Sequence, residues 1–491
     1  MKKCGILLPI FSLPSSYGIG SFGKSAYDFV DFLDRAGQSY WQILPLSQTS
    51  FGDSPYQSPS AFAGNPYFID PDILFEKGYI EKCDLDALTK AQGRIDYGRL
   101  YEERYPLLRK AHQSFLKNIP EDYEDFLREN SDWLDNYALF MAIKGKCGGG
   151  DFHYWQPSVL RKENIEELRS ELSAEISFFC FVQYEFITQW TALRKYANSK
   201  DVKIIGDLPI YVSCDCADLW GEPEQFLLDE NLWPARVAGV PPDDFSATGQ
   251  LWGNPLYDWD YMKAHGYDWW VRRIRHAAVL YDKIRIDHFI GFSNYFSIPK
   301  DAASPLEGSV MKGPGYEIFE VIKREVPEAD IIAEDLGMLR EGVDELLFRT
   351  GFPGMKVIQF SFEGGDSNPH TLKNHTENCV VYTGTHDNPT AKGFIDSLDR
   401  SRKLRYSRRM PKGYKSAVDR MIAYAMSSVA DTVIIPIQDY LKLGDEARIN
   451  APSTKEGNWG FILPDGALKT TLSKRIKAFA FDSGREKEKI E

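Results

Sequence analysis

Nowhere in the 491 residues is there an apolar run of about 18, the length a membrane-spanning helix needs, so no membrane partner is expected. Met1-Lys-Lys is followed by Cys4-Gly-Ile-Leu-Leu-Pro-Ile10, a run too short for a secretion signal and without a small-residue cleavage site. Positive charge is also short. The 58 Lys and Arg stand against 71 Asp and Glu, a net charge of −13, which argues against nucleic acid as a partner. Cysteine is scarce at seven and forms no metal-ligand set. Cys214 and Cys216 sit one residue apart, with no second pair and no histidine pair beside them. Reduced thiols in a cytoplasm are expected. No internal repeat and no clear linker interrupt the text, so residues 1–491 read as one domain carrying insertions.

A nucleotide site is missing too. Gly18-Ile-Gly-Ser-Phe-Gly23 has the spacing of a dinucleotide fingerprint, but the glycines lie well beyond the first strand. The next strand runs into Pro45-Leu-Ser-Gln rather than an acid for a ribose. These glycines are expected to shape a loop.

What is present is a series of eight strand signals, at 6–9, 40–44, 203–209, 283–287, 330–335, 355–360, 379–383 and 432–436. Most are separated by segments long enough for a helix. That pattern predicts an α/β chain folded as a (β/α)8 TIM-type barrel, whose chemistry sits where the strands end. Residues 75–196 are charged and helix-periodic, and predict a mainly helical insertion. Its last long helix turns Phe178, Phe181, Val182, Phe186 and Leu193 to a core. Residues 241–258 are rich in Gly and Pro, display Trp252 and Tyr257, and predict a lid loop. The basic run 400–415 is expected to solvate a helix, and the tail from Asp482 to fray.

Several strands end in acids. In Lys283-Ile-Arg-Ile-Asp-His-Phe289, Ile284 and Ile286 point one way and Arg285 and Asp287 the other, so a guanidinium flanks the Asp287 carboxylate on its own face. Asp207, Glu334 with Asp335, and His386 with Asp387 stand at other strand ends. Acids so placed, without a metal or nucleotide motif, point to glycoside chemistry. One carboxylate attacks the anomeric carbon and a second, kept protonated, gives its proton to the leaving oxygen. Neutral sugars also suit an acidic chain with 14% aromatic residues.

Six segments together carry a resemblance: Gly52-Asp-Ser-Pro-Tyr-Gln-Ser58, Gly206-Asp-Leu-Pro209, Gly249-Gln-Leu-Trp-Gly-Asn-Pro255, Arg285-Ile-Asp-His-Phe289, Ala333-Glu-Asp-Leu-Gly337 and Thr385-His-Asp-Asn388. With Leu13-Pro-Ser-Ser-Tyr-Gly-Ile-Gly near one end and Gly457-Asn-Trp459 near the other, the chain resembles the amylomaltase or disproportionating-enzyme family of 4-α-glucanotransferases over nearly its full length. The resemblance implies Asp287 as nucleophile, Glu334 as acid/base and Asp387 as the third acid gripping ring hydroxyls. It implies Arg285 as the residue that orients the nucleophile, His288 and His386 as donors to the sugar, and Tyr56 as a stacking platform. Ser54, Asp207, Gln250, Trp252, Asp335 and Asn450 are implied to line the substrate groove. It implies α-1,4-glucans and maltooligosaccharides as donor and acceptor, with no cofactor and no metal, and fixes no oligomeric state. The alternative on the same barrel is a hydrolase that uses water as acceptor. Two positions depart from the family pattern: Ile290 where an Arg usually follows Phe289, and Ser453 where Asn-x-Pro usually ends in Gly.

Overall fold

The computed structural model describes residues 2–90, 93–242, 248–362, 365–454 and 456–487. Among the described residues twelve strands occur in chain order: Lys3–Leu7 (β1), Tyr40–Gln42 (β2), Lys203–Leu208 (β3), Arg236–Val240 (β4), Gln250–Pro255 (β5), Lys283–Ile286 (β6), Asn294–Pro299 (β7), Ser309–Lys312 (β8), Ile331–Ala333 (β9), Gly354–Val357 (β10), Cys379–Tyr382 (β11) and Thr432–Pro436 (β12). Eight of them close a parallel barrel in the order β1, β2, β3, β6, β9, β10, β11, β12. All eight expected strands are there, within a few residues of the predicted limits.

Side-chain parity along these strands sorts the residues. Leu7, Tyr40, Ile205, Ile332, Met355, Val380, Tyr382 and Ile434 form one buried cluster that fills the barrel. Their neighbours of opposite parity, such as Ile6, Trp41, Ile204, Ile284, Ile286, Val381 and Val433, pack outward against the helices. Moving along the inward rows toward the C-terminal strand ends replaces apolar residues by Gln42, Asp207, Arg285, Asp287 and Glu334. The barrel is dry and apolar below and charged above, as a (β/α)8 site requires.

Between β2 and β3 the chain is helical and ends in Ser173–Ser199, a helix about 40 Å long. Phe178, Phe181, Val182, Phe186 and Leu193 are all fully buried along it. The glycines at 18–23 are packed against the protein's own chain. A Cβ on Gly20 would lie 2.0 Å from the Ile10 carbonyl oxygen and one on Gly23 1.9 Å from Asp70 Oδ2.

Residues 241–258 differ from the expected lid loop. Residues 243–247 lie outside the described residues, but 250–255 are strand β5, paired antiparallel with β4. With β7 and β8 they make a second, four-stranded sheet in the order β5, β4, β7, β8. Gly253, inside β5, is left-handed (φ 79°), and Gly249 just before the strand is left-handed too (φ 78°). Tyr257 is not displayed either: it is 1% exposed and donates to the Ile210 carbonyl at 2.7 Å. Of the tail expected to fray, residues 488–491 lie outside the described residues, while the part before them is held. Arg485 is fully buried and donates to the carbonyls of Met426 (3.0 Å) and Ser428 (2.6 Å). Among the described residues no helix is long and apolar enough to cross a membrane.

Candidate active site

Arg285 is the hub of the charged end of the barrel. Its Nη1 donates to both oxygens of Asp207 at 2.7 Å, and its Nη2 donates to Asp287 Oδ1 at 2.8 Å. Burial opposes the guanidinium charge, but the Asp207 and Asp287 carboxylates outweigh it and hold Arg285 firmly ionised. Asp287 is thereby oriented while its side chain stays 25% exposed, open to a substrate.

The chain then turns at His288, which adopts the left-handed conformation (φ 50°, ψ 44°), a strain of about 1–2 kcal/mol. The turn sends the His288 amide to Glu334 Oε2 at 2.7 Å, and the Leu336 amide reaches Glu334 Oε1 at 2.9 Å. The acid at the end of β9 is thus fastened to the peptide that follows Asp287. Burial pushes the Glu334 carboxyl up to about 8; Arg285 pulls against that rise and Asp287 adds to it. A carboxyl beside another, held protonated near neutrality, is the pairing that glycoside cleavage needs. Burial pushes the His288 imidazole down to about 4, so it is neutral, and its buried Nε2 has no partner among the described residues.

A second group forms around His386 and Asp387. Asn450 Nδ2 donates to Asp387 Oδ1 at 2.6 Å, and Arg448 donates to the Asp387 carbonyl at 2.5 Å. Tyr56 donates its hydroxyl to Asp207 Oδ2 at 2.7 Å. Having spent that proton, it can only accept from His386 Nε2, 3.0 Å away, so that nitrogen carries the hydrogen. The same nitrogen lies 3.3 Å from Asp387 Oδ2. Tyr56 also stacks on His386 (5.5 Å, 14°) and leans on Trp459 (5.7 Å). The Ser54 hydroxyl accepts from the Tyr56 amide at 3.2 Å and so shapes the turn that presents the ring.

From the second sheet, Trp252 packs edge-on against the His288 ring at 4.8 Å, and its indole N–H donates to Gln250 Oε1 at 3.1 Å. The sheet therefore reaches the acids through Trp252.

Two expected groove residues are placed otherwise. Asp207 is 2% exposed, with its oxygens taken by Arg285 and Tyr56; it anchors the site from below. Asp335 is 1% exposed and has the parity opposite to Glu334. It accepts from the Met355 amide at 2.7 Å and sits near Lys356 and Arg340, bracing β10. Trp459 and Arg448 received no role from the sequence. Trp459 was within reach, because it ends a motif already noted; Arg448 acts through a backbone carbonyl, which leaves no pattern. Ile290 is 1% exposed in the turn after His288, and its Cδ1 lies 3.0 Å from where a Cβ on Gly337 would stand. Apolar packing thus occupies the position where the resemblance implies an Arg. Ser453 is left-handed (φ 66°), the conformation a Gly holds without strain.

The profile of a family described as 4-alpha-glucanotransferase matches residues 8–466. A 4-alpha-glucanotransferase of Clostridium butyricum is 48% identical over 477 residues, covering 95% of this chain and 97% of that protein. One of Thermus thermophilus is 44% identical and covers 98% of both. Among solved structures, an amylomaltase from Streptococcus agalactiae in complex with acarbose superposes with a TM-score of 0.95 at 41% identity, over 99% of this chain and 100% of that one.

Proposed function

The chain belongs to the 4-alpha-glucanotransferase family and acts as a transferase on α-1,4-glucans, and we propose that Asp287, Glu334 and Asp387 carry the reaction. An Asp287 oxygen attacks the anomeric carbon of the donor as the glycosidic bond breaks, and the Glu334 proton passes to the departing O4. The glycosyl ester on Asp287 is then attacked by the 4-hydroxyl of an acceptor sugar, whose proton returns to Glu334. Two inversions give net retention. Asp387, held by Asn450, grips ring hydroxyls as the sugar distorts. Arg285 aims the nucleophile, while His288 Nε2 and His386 offer hydrogen bonds to the donor sugar. Tyr56 and Trp252 shape the groove, and Trp252 excludes water from the ester. Seven free cysteines among the described residues favour a reducing cytoplasm.

The observation that carries this reading is the Glu334 carboxyl, raised by burial and bonded to the amide after Asp287. The test is to trap the ester. Glu334→Gln incubated with a maltooligosyl fluoride should gain one glycosyl unit on the peptide containing Asp287, read by mass spectrometry. A label on any other residue, or none while fluoride is released, would remove Asp287 from the role.

A further inference from the structure

Away from the barrel mouth, the strand-poor stretch before β4 meets residues 151–164 of the helical segment, and the two enclose a groove of about 350 Å³. Two non-glycine residues that line it hold left-handed backbone: Lys162 (φ 57°) and Leu232 (φ 65°). Such strain persists where the surrounding structure enforces it, and it gathers at binding sites. The groove's charged lining is balanced, with Arg161 and Lys162 facing Glu224 and Glu230. Trp220 also lines it. It is 1% exposed, and its indole N–H finds no acceptor among the described residues.

Beside the groove stands an aromatic pair. Tyr154 is 81% exposed, and its ring meets Trp233 edge-on at 5.7 Å. Trp233 is fixed from beneath by the His153 ring at 4.0 Å and 17°. His153 is itself held by Asp151 at 2.7 Å and by the Leu232 carbonyl at 2.9 Å. Tyr154 thus presents its ring to solvent beside an indole that His153 holds in place. We propose that this platform and groove are a second binding site for α-1,4-glucan chains, separate from the catalytic cleft. The occupant follows from the chemistry. Rigid aromatic faces take the apolar faces of sugar rings, and mixed donors and acceptors without net charge suit hydroxyls rather than an ionic ligand. The inference rests on the α-glucan reading of the active site. A polymer held here is retained near the acids between transfers, which raises its effective concentration.

The experiment uses the full chain and Tyr154→Ala, with Tyr154→Phe and Trp233→Ala beside it. Each is run on native gels containing amylose, and each is assayed with maltotriose and with amylose. Loss of one stacking face should weaken retention in amylose gels and raise KM for amylose about five- to tenfold. The kcat and KM for maltotriose should stay within about twofold. Tyr154→Phe should behave as wild type. Tyr154→Ala changes only an exposed ring, so a folding failure of Trp233→Ala leaves the test standing. Unchanged amylose retention and KM would overturn the proposal, as would a variant that changes the oligomeric state on gel filtration instead. Wild-type turnover of maltotriose is read in the same series, so failure of the catalytic reading shows itself apart from failure of this site.

Discussion

Burial raises the Glu334 carboxyl to about 8, so in its proposed role as the acid it holds its proton below about that pH and loses it above. The sign follows from the direction of the shift: burial favours the neutral form, and the neutral form is the acid. The kcat/KM for maltotriose should therefore fall as pH rises through about 8. Glu334→Gln should cost maltooligosaccharides far more than maltooligosyl fluorides, since fluoride departs with little help from a proton. Equal losses on both substrates would take the acid role from Glu334. At Asp287 the prediction is simpler. An amide forms no glycosyl ester, so Asp287→Asn should keep the fold and glucan binding yet lose about 10⁴-fold or more in turnover. Activity within about tenfold of wild type would contradict it.

The barrel strands were legible because strands packed on both faces read as short apolar runs, and several of the runs here end in a polar residue. The second sheet was not. Its strands β4 and β7 pair residues 57 to 63 positions apart in the chain, and Gly253 reads as loop text although it lies inside β5. The acids were legible at their strand ends, and parity in the 283–287 stretch placed Arg285 beside Asp287. The same parity, applied to β9, puts Asp335 on the opposite face from Glu334 and separates their roles. Asp207 shares the inward parity, but its depth beneath Arg285 depends on the barrel closing. The sheet also carries a prediction. Trp252 touches His288 beside the acids, and in the proposed mechanism it keeps water from the ester. Trp252→Ala should weaken use of glucans and raise the share of hydrolysis over transfer about severalfold. An unchanged ratio of transfer to hydrolysis would reduce Trp252 to packing.

Across the whole molecule, the last described residues tie the barrel shut. Arg485, between the end of helix Thr470–Asp482 and the strands β1 and β12, donates to four backbone carbonyls: Met426, Ser428, Lys3 and Asp431. Removing a buried guanidinium strands those acceptors, so Arg485→Ala should lower unfolding free energy by about 3 kcal/mol and the melting temperature with it. The maltotriose kcat should hold at temperatures where the variant stays folded. A wild-type melting curve would show the tail to be dispensable.

Transfer rather than hydrolysis is the claim on which everything else turns. Water stands at about 55 M against millimolar sugar, roughly a 10⁴-fold disadvantage for the acceptor, so transfer wins only if the bound sugar is aligned and water kept out. The direct measurement is the fate of pure maltotriose, with products separated by chromatography and reducing ends counted over time. Each transfer breaks one bond and makes another. The protein should yield glucose together with longer maltooligosaccharides while the number of reducing ends stays nearly constant. A steady rise in reducing ends, with the mixture collapsing to glucose and maltose, would contradict the account.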